Sequence, residues 1–247
     1  MSTENKFPTE IVDLPSKGLL YPKDSPLSSG ELEMKYMTAK EEDILTNQNY
    51  IERGVVIDKL LQALIVNKEI KYNDLLVGDK NALLIAARIL GYGADYEFTY
   101  AGVKENVDLS ALNNKDFDDS VIKDGKNEFT FVTPLSKNTL TFKLLTHGDE
   151  QKIQQEVNGL KKINKEASPE LSTRLKHIIT SVDGNGDSKA IRDFVDNGFL
   201  ARDSRAFRKH MAEIQPDVDL KFYPENGPEE GVDIPIGINF FWPDATV

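Results

Sequence analysis

Apolar residues recur along this chain at two spacings. Phe129, Phe131 and Val132, then Leu140, Phe142 and Leu144, alternate with polar residues at the period of a half-buried β-strand. Pro134 to Asn138 between them supplies turn formers, so the stretch predicts a β-hairpin. The same alternation at Leu32, Met34 and Tyr36 follows a Pro26-to-Gly30 turn, and Leu19-Leu20-Tyr21 stands as the partner strand. Elsewhere the spacing is three to four. Ile57, Leu60, Leu61, Leu64 and Ile65 predict one helix, and Leu83, Leu84, Ala87 and Ile89 a second, ended by Gly91-Tyr92-Gly93. Further on, helices are predicted at Leu171, Leu175, Ile178 and Ile179, at Ile191, Phe194 and Val195, and at Ala206, Phe207, His210, Met211 and Ile214, the last stopped by Pro216. Thr38 with Glu41, and Thr146 with Asp149, have the spacing of helix N-terminal capping, in which a hydroxyl and a carboxylate satisfy the first amides. Closing hairpins are predicted at Asp95 to Tyr100 with Asn106 to Leu109, and at Asp219 to Tyr223 with Gly231 to Ile236.

These elements come twice in one order. Pro26-Leu27-Ser28 reappears as Pro134-Leu135-Ser136, and Met37-Thr38 falls on Leu145-Thr146 at the same offset of 108. Asp79 matches Asp203 at an offset of 124, where Gly78 to Leu83 aligns with Arg202 to Phe207. Tyr96-Glu97-Phe98 then lands on Leu220-Lys221-Phe222. Collinear blocks favour duplication over chance similarity. The second copy carries about sixteen extra residues, placed between Leu160 and Asp187 where turn formers interrupt the pattern. The predicted fold class is α+β, two tandem diverged repeats, each a β-hairpin, a helical middle and a closing β-hairpin. The divisions are an N-terminal arm at 1–18, a first repeat at 19–115, a second at 128–236 and an aromatic C-terminal tail at 237–247. Two copies are too few for a solenoid, and a pseudo-twofold pair is expected.

Composition narrows the function classes. A formal charge of −11 over 247 residues argues against nucleic-acid binding, which needs clustered Lys and Arg. Without cysteine there is neither a disulfide nor a thiolate metal site. The first residues lack the basic and apolar regions of a signal peptide, and the longest apolar stretches are far shorter than a membrane span. We expect a chain without membrane insertion, in a reducing compartment.

Candidate chemistry is sparse. Asp183-Gly184-Asn185-Gly186-Asp187 begins like a calcium loop, but Ser188 stands where that loop needs glycine and Phe194 where it needs a bidentate glutamate; a turn before a Ser188-capped helix is expected. His147, His177 and His210 lack paired ligand spacing, and no nucleophile-elbow, P-loop or dinucleotide motif is present. We assign no catalytic, cofactor or metal residues. Arg202, Arg205, Arg208 and Lys209 fall largely on one helix face, a dock for an acidic partner or a solvated face. Phe240, Phe241, Trp242 and Pro243 concentrate aromatics at the chain's end, either folded back on the protein's own groove or offered to a partner as an anchor.

Leu14-Pro15-Ser16-Lys17-Gly18, Met37-Thr38-Ala39-Lys40-Glu41-Glu42-Asp43, Gly78-Asp79-Lys80, Ala201-Arg202-Asp203-Ser204-Arg205-Ala206, Pro216-Asp217-Val218-Asp219-Leu220 and Phe240-Phe241-Trp242-Pro243 together resemble the baseplate hub and hub-assembly proteins of T-even-like contractile-tailed bacteriophages, over nearly the whole chain. Relatives in that family carry a C-x-x-C knuckle suited to zinc; the matching spots here, Tyr100 to Val103 and Tyr223 to Gly227, have no cysteine, so no metal carries over. The resemblance implies a non-enzymatic late protein of virion assembly, acting in the host cytoplasm or in the tail baseplate through contacts with hub or tail proteins. It leaves open a structural hub subunit or an assembly factor. Two rivals remain beside it, a tail-assembly chaperone that binds the tape-measure protein and a hub-associated hydrolase.

Overall fold

A computed structural model describes residues 8–122, 125–166, 168–224 and 227–241. Strand β1 (Thr9–Asp13) pairs antiparallel with β2 (Glu31–Lys35), Val12 opposite Leu32 and Glu10 opposite Met34. β2 buries Leu32 and Met34, as its alternation predicts. Its partner, however, is Thr9–Asp13 and not Leu19 to Tyr21, so the predicted arm at 1–18 contributes a strand from Thr9 on. The reason lies in the linking loop. Lys17 and Gly18 take positive φ, 52° and 73°, which turns the chain and sends Leu20 and Tyr21 into the core. β1 itself is almost wholly exposed and so carries no burial alternation to read.

Three short helices follow: α1 (Ala39–Leu45), α2 (Gln48–Glu52) and α3 (Val56–Leu64), the last burying Val56, Leu60, Leu61 and Leu64 at helical spacing. The longer α4 (Val77–Tyr92) ends at Gly93, whose φ of 86° no side-chain-bearing residue adopts cheaply. β3 (Asp95–Tyr100) and β4 (Val103–Asp108) close this half as a hairpin around Ala101-Gly102, both at positive φ.

The second half opens on β5 (Phe129–Val132) and β6 (Thr139–Phe142), paired in the predicted register region, with β7 (Ile179–Val182) added on the far edge of β6. Ile179, expected to be helical, is the first residue of that third strand. Helices α5 (His147–Ile163), α6 (Glu170–Ile178), α7 (Ser188–Asp193) and α8 (Ala201–Ile214) pack around this sheet, and the two-residue strands β8 (Lys221–Phe222) and β9 (Val232–Asp233) pair after it. The cap of α7 is Asp187, which accepts the Ala190 N–H at 2.9 Å, and not Ser188.

The chain is therefore a mixed α+β protein with small antiparallel sheets. One apolar cluster runs through both halves. In the second half Phe207 meets Phe142 edge to face at 4.9 Å. Between the halves, Phe98 meets Phe222 at 5.3 Å and Tyr96 meets Phe240 at 4.8 Å, so the closing strands share a ring-lined contact. Among the described residues no helix is long and apolar enough to cross a membrane.

Candidate protein-contact site

The halves meet along a seam built from backbone. Leu75, Leu76 and Val77 run extended into α4, and the Val77 N–H donates to the Leu145 carbonyl at 3.1 Å while the His147 N–H donates to the Leu75 carbonyl at 2.7 Å. Gly78 makes the approach feasible, because an added Cβ there would lie 1.9 Å from the Pro216 carbonyl oxygen. Three residues on, the Asn81 amide donates to the Asp217 carboxylate at 2.9 Å. A second bridge reinforces the joint, with Lys115 donating to the Asp217 carbonyl and Asp219 to the Asn113 carbonyl.

Beside this seam sits a buried polar cluster. Asp58 on α3 accepts from Tyr72 at 3.0 Å and from Lys80 at 2.7 Å, and its second oxygen lies 3.3 Å from His147 Nε2. Lys80 also approaches His147 Nδ1 at 3.2 Å. Burial pulls the Asp58 carboxyl up, but the bonds from His147 and Lys80 outweigh it and hold the group down at about 2. Every charge in the cluster has a partner from another element, and His147 belongs to the second half while Asp58 and Lys80 belong to the first.

Two aspartates hold the hairpin loops to the helices. Asp79, the third residue of α4, is fully buried and accepts the Ser16 N–H at 2.9 Å, the Ser16 hydroxyl at 2.7 Å and the Tyr21 hydroxyl at 2.6 Å. Tyr21 passes the link on, since its oxygen accepts the Leu76 N–H at 2.9 Å. Asp203, the third residue of α8, is equally buried and accepts the Leu135 and Ser136 N–H groups at 2.8 and 3.0 Å. Burial raises the Asp79 carboxyl above the ordinary range despite its hydroxyl partners. At Asp203 burial again acts upward, but the two amides win and the carboxyl is held low. Lys35 to Glu41 at 2.7 Å and Lys143 to Asp149 at 2.8 Å form a second matched pair, each running from the end of a strand to the first turn of the next helix.

Of the residues singled out from sequence, Phe240 and Phe241 are wholly buried and pack against each other and Tyr96. They are therefore withdrawn as surface contacts for a partner; the aromatic tail folds back at these two positions. Trp242 and Pro243 lie outside the described residues. Arg202 and Arg205 are exposed on α8, as are Arg208 and Lys209. No family model, curated protein or solved structure matches the chain. The remaining polar candidates are engaged in the fold. Arg192 grips Glu156 through both carboxylate oxygens, at 2.6 and 2.9 Å, and His177 joins the same group at 2.9 Å. The Arg192 bonds outweigh burial and bring Glu156 to about 2. Asp183 accepts from Asn138 and from the Thr139 N–H, which ties its loop to β6. His210 stacks on Phe131 at 5.2 Å. Among the described residues no group of three or more His, Asp or Glu is placed to hold a metal ion.

Sequence reading missed Leu75 to Val77, which meet the second half through backbone rather than chemistry-bearing side chains. The available signal was the pair of aspartates, which align at 124 and mark the start of each helix.

Proposed function

We propose that the chain is a non-enzymatic component of tail baseplate hub assembly in a contractile-tailed bacteriophage, working through protein contacts as a hub subunit or an assembly factor. The resemblance carried by the motifs quoted above supports this, and so does the way polar groups are used. Asp58, Lys80 and His147, and Glu156, His177 and Arg192, bind one another across elements. No reaction is part of the proposal.

We further propose that the halves are diverged copies of one unit. The single observation that carries this is the pair Asp79 and Asp203, each third in its helix, each buried and each accepting backbone N–H from the loop of the preceding hairpin, one at Asp79 from Ser16 and two at Asp203 from Leu135 and Ser136. The ion pairs Lys35–Glu41 and Lys143–Asp149 support it at the other offset, 108. At the seam, Leu75–Val77 of the first copy meets Leu145–His147 of the second, and the matching backbone groups, the Ala201 N–H and the Phe199 carbonyl, have no such partner among the described residues. At the closing strands Phe98 meets its own counterpart, Phe222, the kind of contact a pseudo-twofold gives.

Mass spectrometry of purified virions beside fractionated lysate of infected cells tests the assignment. A hub subunit is recovered in both virions and tail intermediates, an assembly factor only in the intermediates. Absence from both contradicts the proposal.

A further inference from the structure

The seam has an open counterpart. Phe199, Leu200 and Ala201 enter α8 as Leu75, Leu76 and Val77 enter α4, 124 positions earlier. At the seam both backbone groups are used. In the second half, among the described residues, neither the Ala201 N–H nor the Phe199 carbonyl has a hydrogen-bond partner. Burial follows the same contrast: Leu76 is 4% exposed and Leu200 46%. Leu135, whose N–H is held by Asp203 at the start of α8, is 52% exposed. The two edges also differ in the side chains beside them. Arg202 stands in the place of Gly78 and Arg205 in the place of Asn81, and both are exposed.

We propose that Phe199–Ala201, flanked by Leu135, Leu200, Arg202 and Arg205, is a docking edge for an extended acidic segment of a partner protein. The segment adds a β-bridge to the free N–H and carbonyl, as Leu145–His147 does at the seam. It brings a carboxylate to Arg205, as Asp217 does to Asn81, and a second to Arg202, whose charge in a chain of net −11 attracts an acidic ligand. A second copy of this chain is a poor occupant. Gly93 stands where its first half would have to supply the counterpart of Asp217, and Arg202 carries a Cβ where Gly78, having none, admits Pro216. The edge deepens the proposed contact-based function and rests on reading the halves as copies.

Fluorescence anisotropy of the full chain, titrated against labelled synthetic peptides that share one apolar framework and carry aspartate, asparagine or lysine between the apolar residues, reads the edge directly. The aspartate peptide binds saturably and releases as salt is raised, and the asparagine peptide is weaker by roughly tenfold or more. The double variant Arg202→Ala/Arg205→Ala weakens the aspartate peptide by a similar factor. Ala201→Pro does the same by removing one backbone donor, at a first helical position where proline is tolerated, so the fold survives. Lys189→Ala, an exposed position of α7, leaves the affinity unchanged. Urea midpoints check that each variant is folded. Equal binding of the three peptides, no saturable binding, or folded variants of undiminished affinity overturn the proposal. A chain that binds the acidic peptide through Arg205 yet never copurifies with hub components keeps the edge and loses the baseplate role. A chain found in hub intermediates whose peptide binding ignores Arg202 and Arg205 keeps the role and loses the edge.

Discussion

Leu75–Val77 and Phe199–Ala201 lead into helices of the same construction, and only the first is covered. The residue next in line decides how close a neighbour comes. Gly78 admits the Pro216 backbone, whereas Arg202 keeps backbone away and asks for a negative charge. In the duplicated chain we propose, one copy's edge is consumed in joining the halves and the other's is left for a second protein. The latches differ in the same sense. Asp79 is buried among hydroxyls that reach on to Leu76, so the first edge is locked from behind, while Asp203 holds the Leu135–Ser136 loop, through both of its amides, with no onward link to Leu200.

The contrast is breakable, and the largest effect is expected at Gly78. Gly78→Ala forces the Pro216 backbone to move and costs about 3 kcal/mol of stability by urea unfolding, while Arg202→Ala at the matching place stays within about 0.5 kcal/mol. Equal costs would mean that the seam does not depend on the close approach. Asp79→Ala comes next. It strands the Ser16 N–H and the Ser16 and Tyr21 hydroxyls in the core, for a loss of about 2 kcal/mol. Asp203→Ala, which strands two amides at a less enclosed loop, shifts the same midpoint less.

Acid gives the smallest effect. The Asp58 carboxyl lies at about 2 in the folded chain, below its ordinary value. Its contribution is therefore present above about pH 4 and is lost as pH falls toward 2, with a magnitude on the order of 1 kcal/mol after allowance for solvent screening. Urea midpoints measured down that range fall more steeply for the parent chain than for Asp58→Asn. Parallel curves would remove Asp58 from the account of the seam.

Much of the fold was legible where apolar period and turn chemistry agreed. The β5–β6 hairpin, α4 ended at Gly93 and α8 stopped before Pro216 all follow from local pattern. β1 was not legible, because Thr9–Asp13 is exposed along nearly its whole length and is held by backbone pairing, which leaves no trace in side-chain alternation. β7 was hidden by the run Ile178-Ile179, whose residues are both buried but on either side of a helix-to-strand change. The tail was legible as an aromatic cluster, and the sequence left its direction open; burial of Phe240 and Phe241 turns those two inward. Arg202 and Arg205 were visible as a basic face, but the backbone edge beside them was not, since an unpaired N–H and carbonyl belong to every residue type.

Amide hydrogen exchange at Val77 and Ala201 tests the central contrast most directly. Val77 exchanges only when the seam opens, and Ala201 needs no such opening. In the isolated chain we predict exchange at Val77 slower than at Ala201 by roughly a hundredfold or more, with Ala201 slowing when the aspartate peptide is added. Equal protection of the two amides in the isolated chain, or an Ala201 amide that ignores the peptide, would contradict a filled edge in one half and an open one in the other.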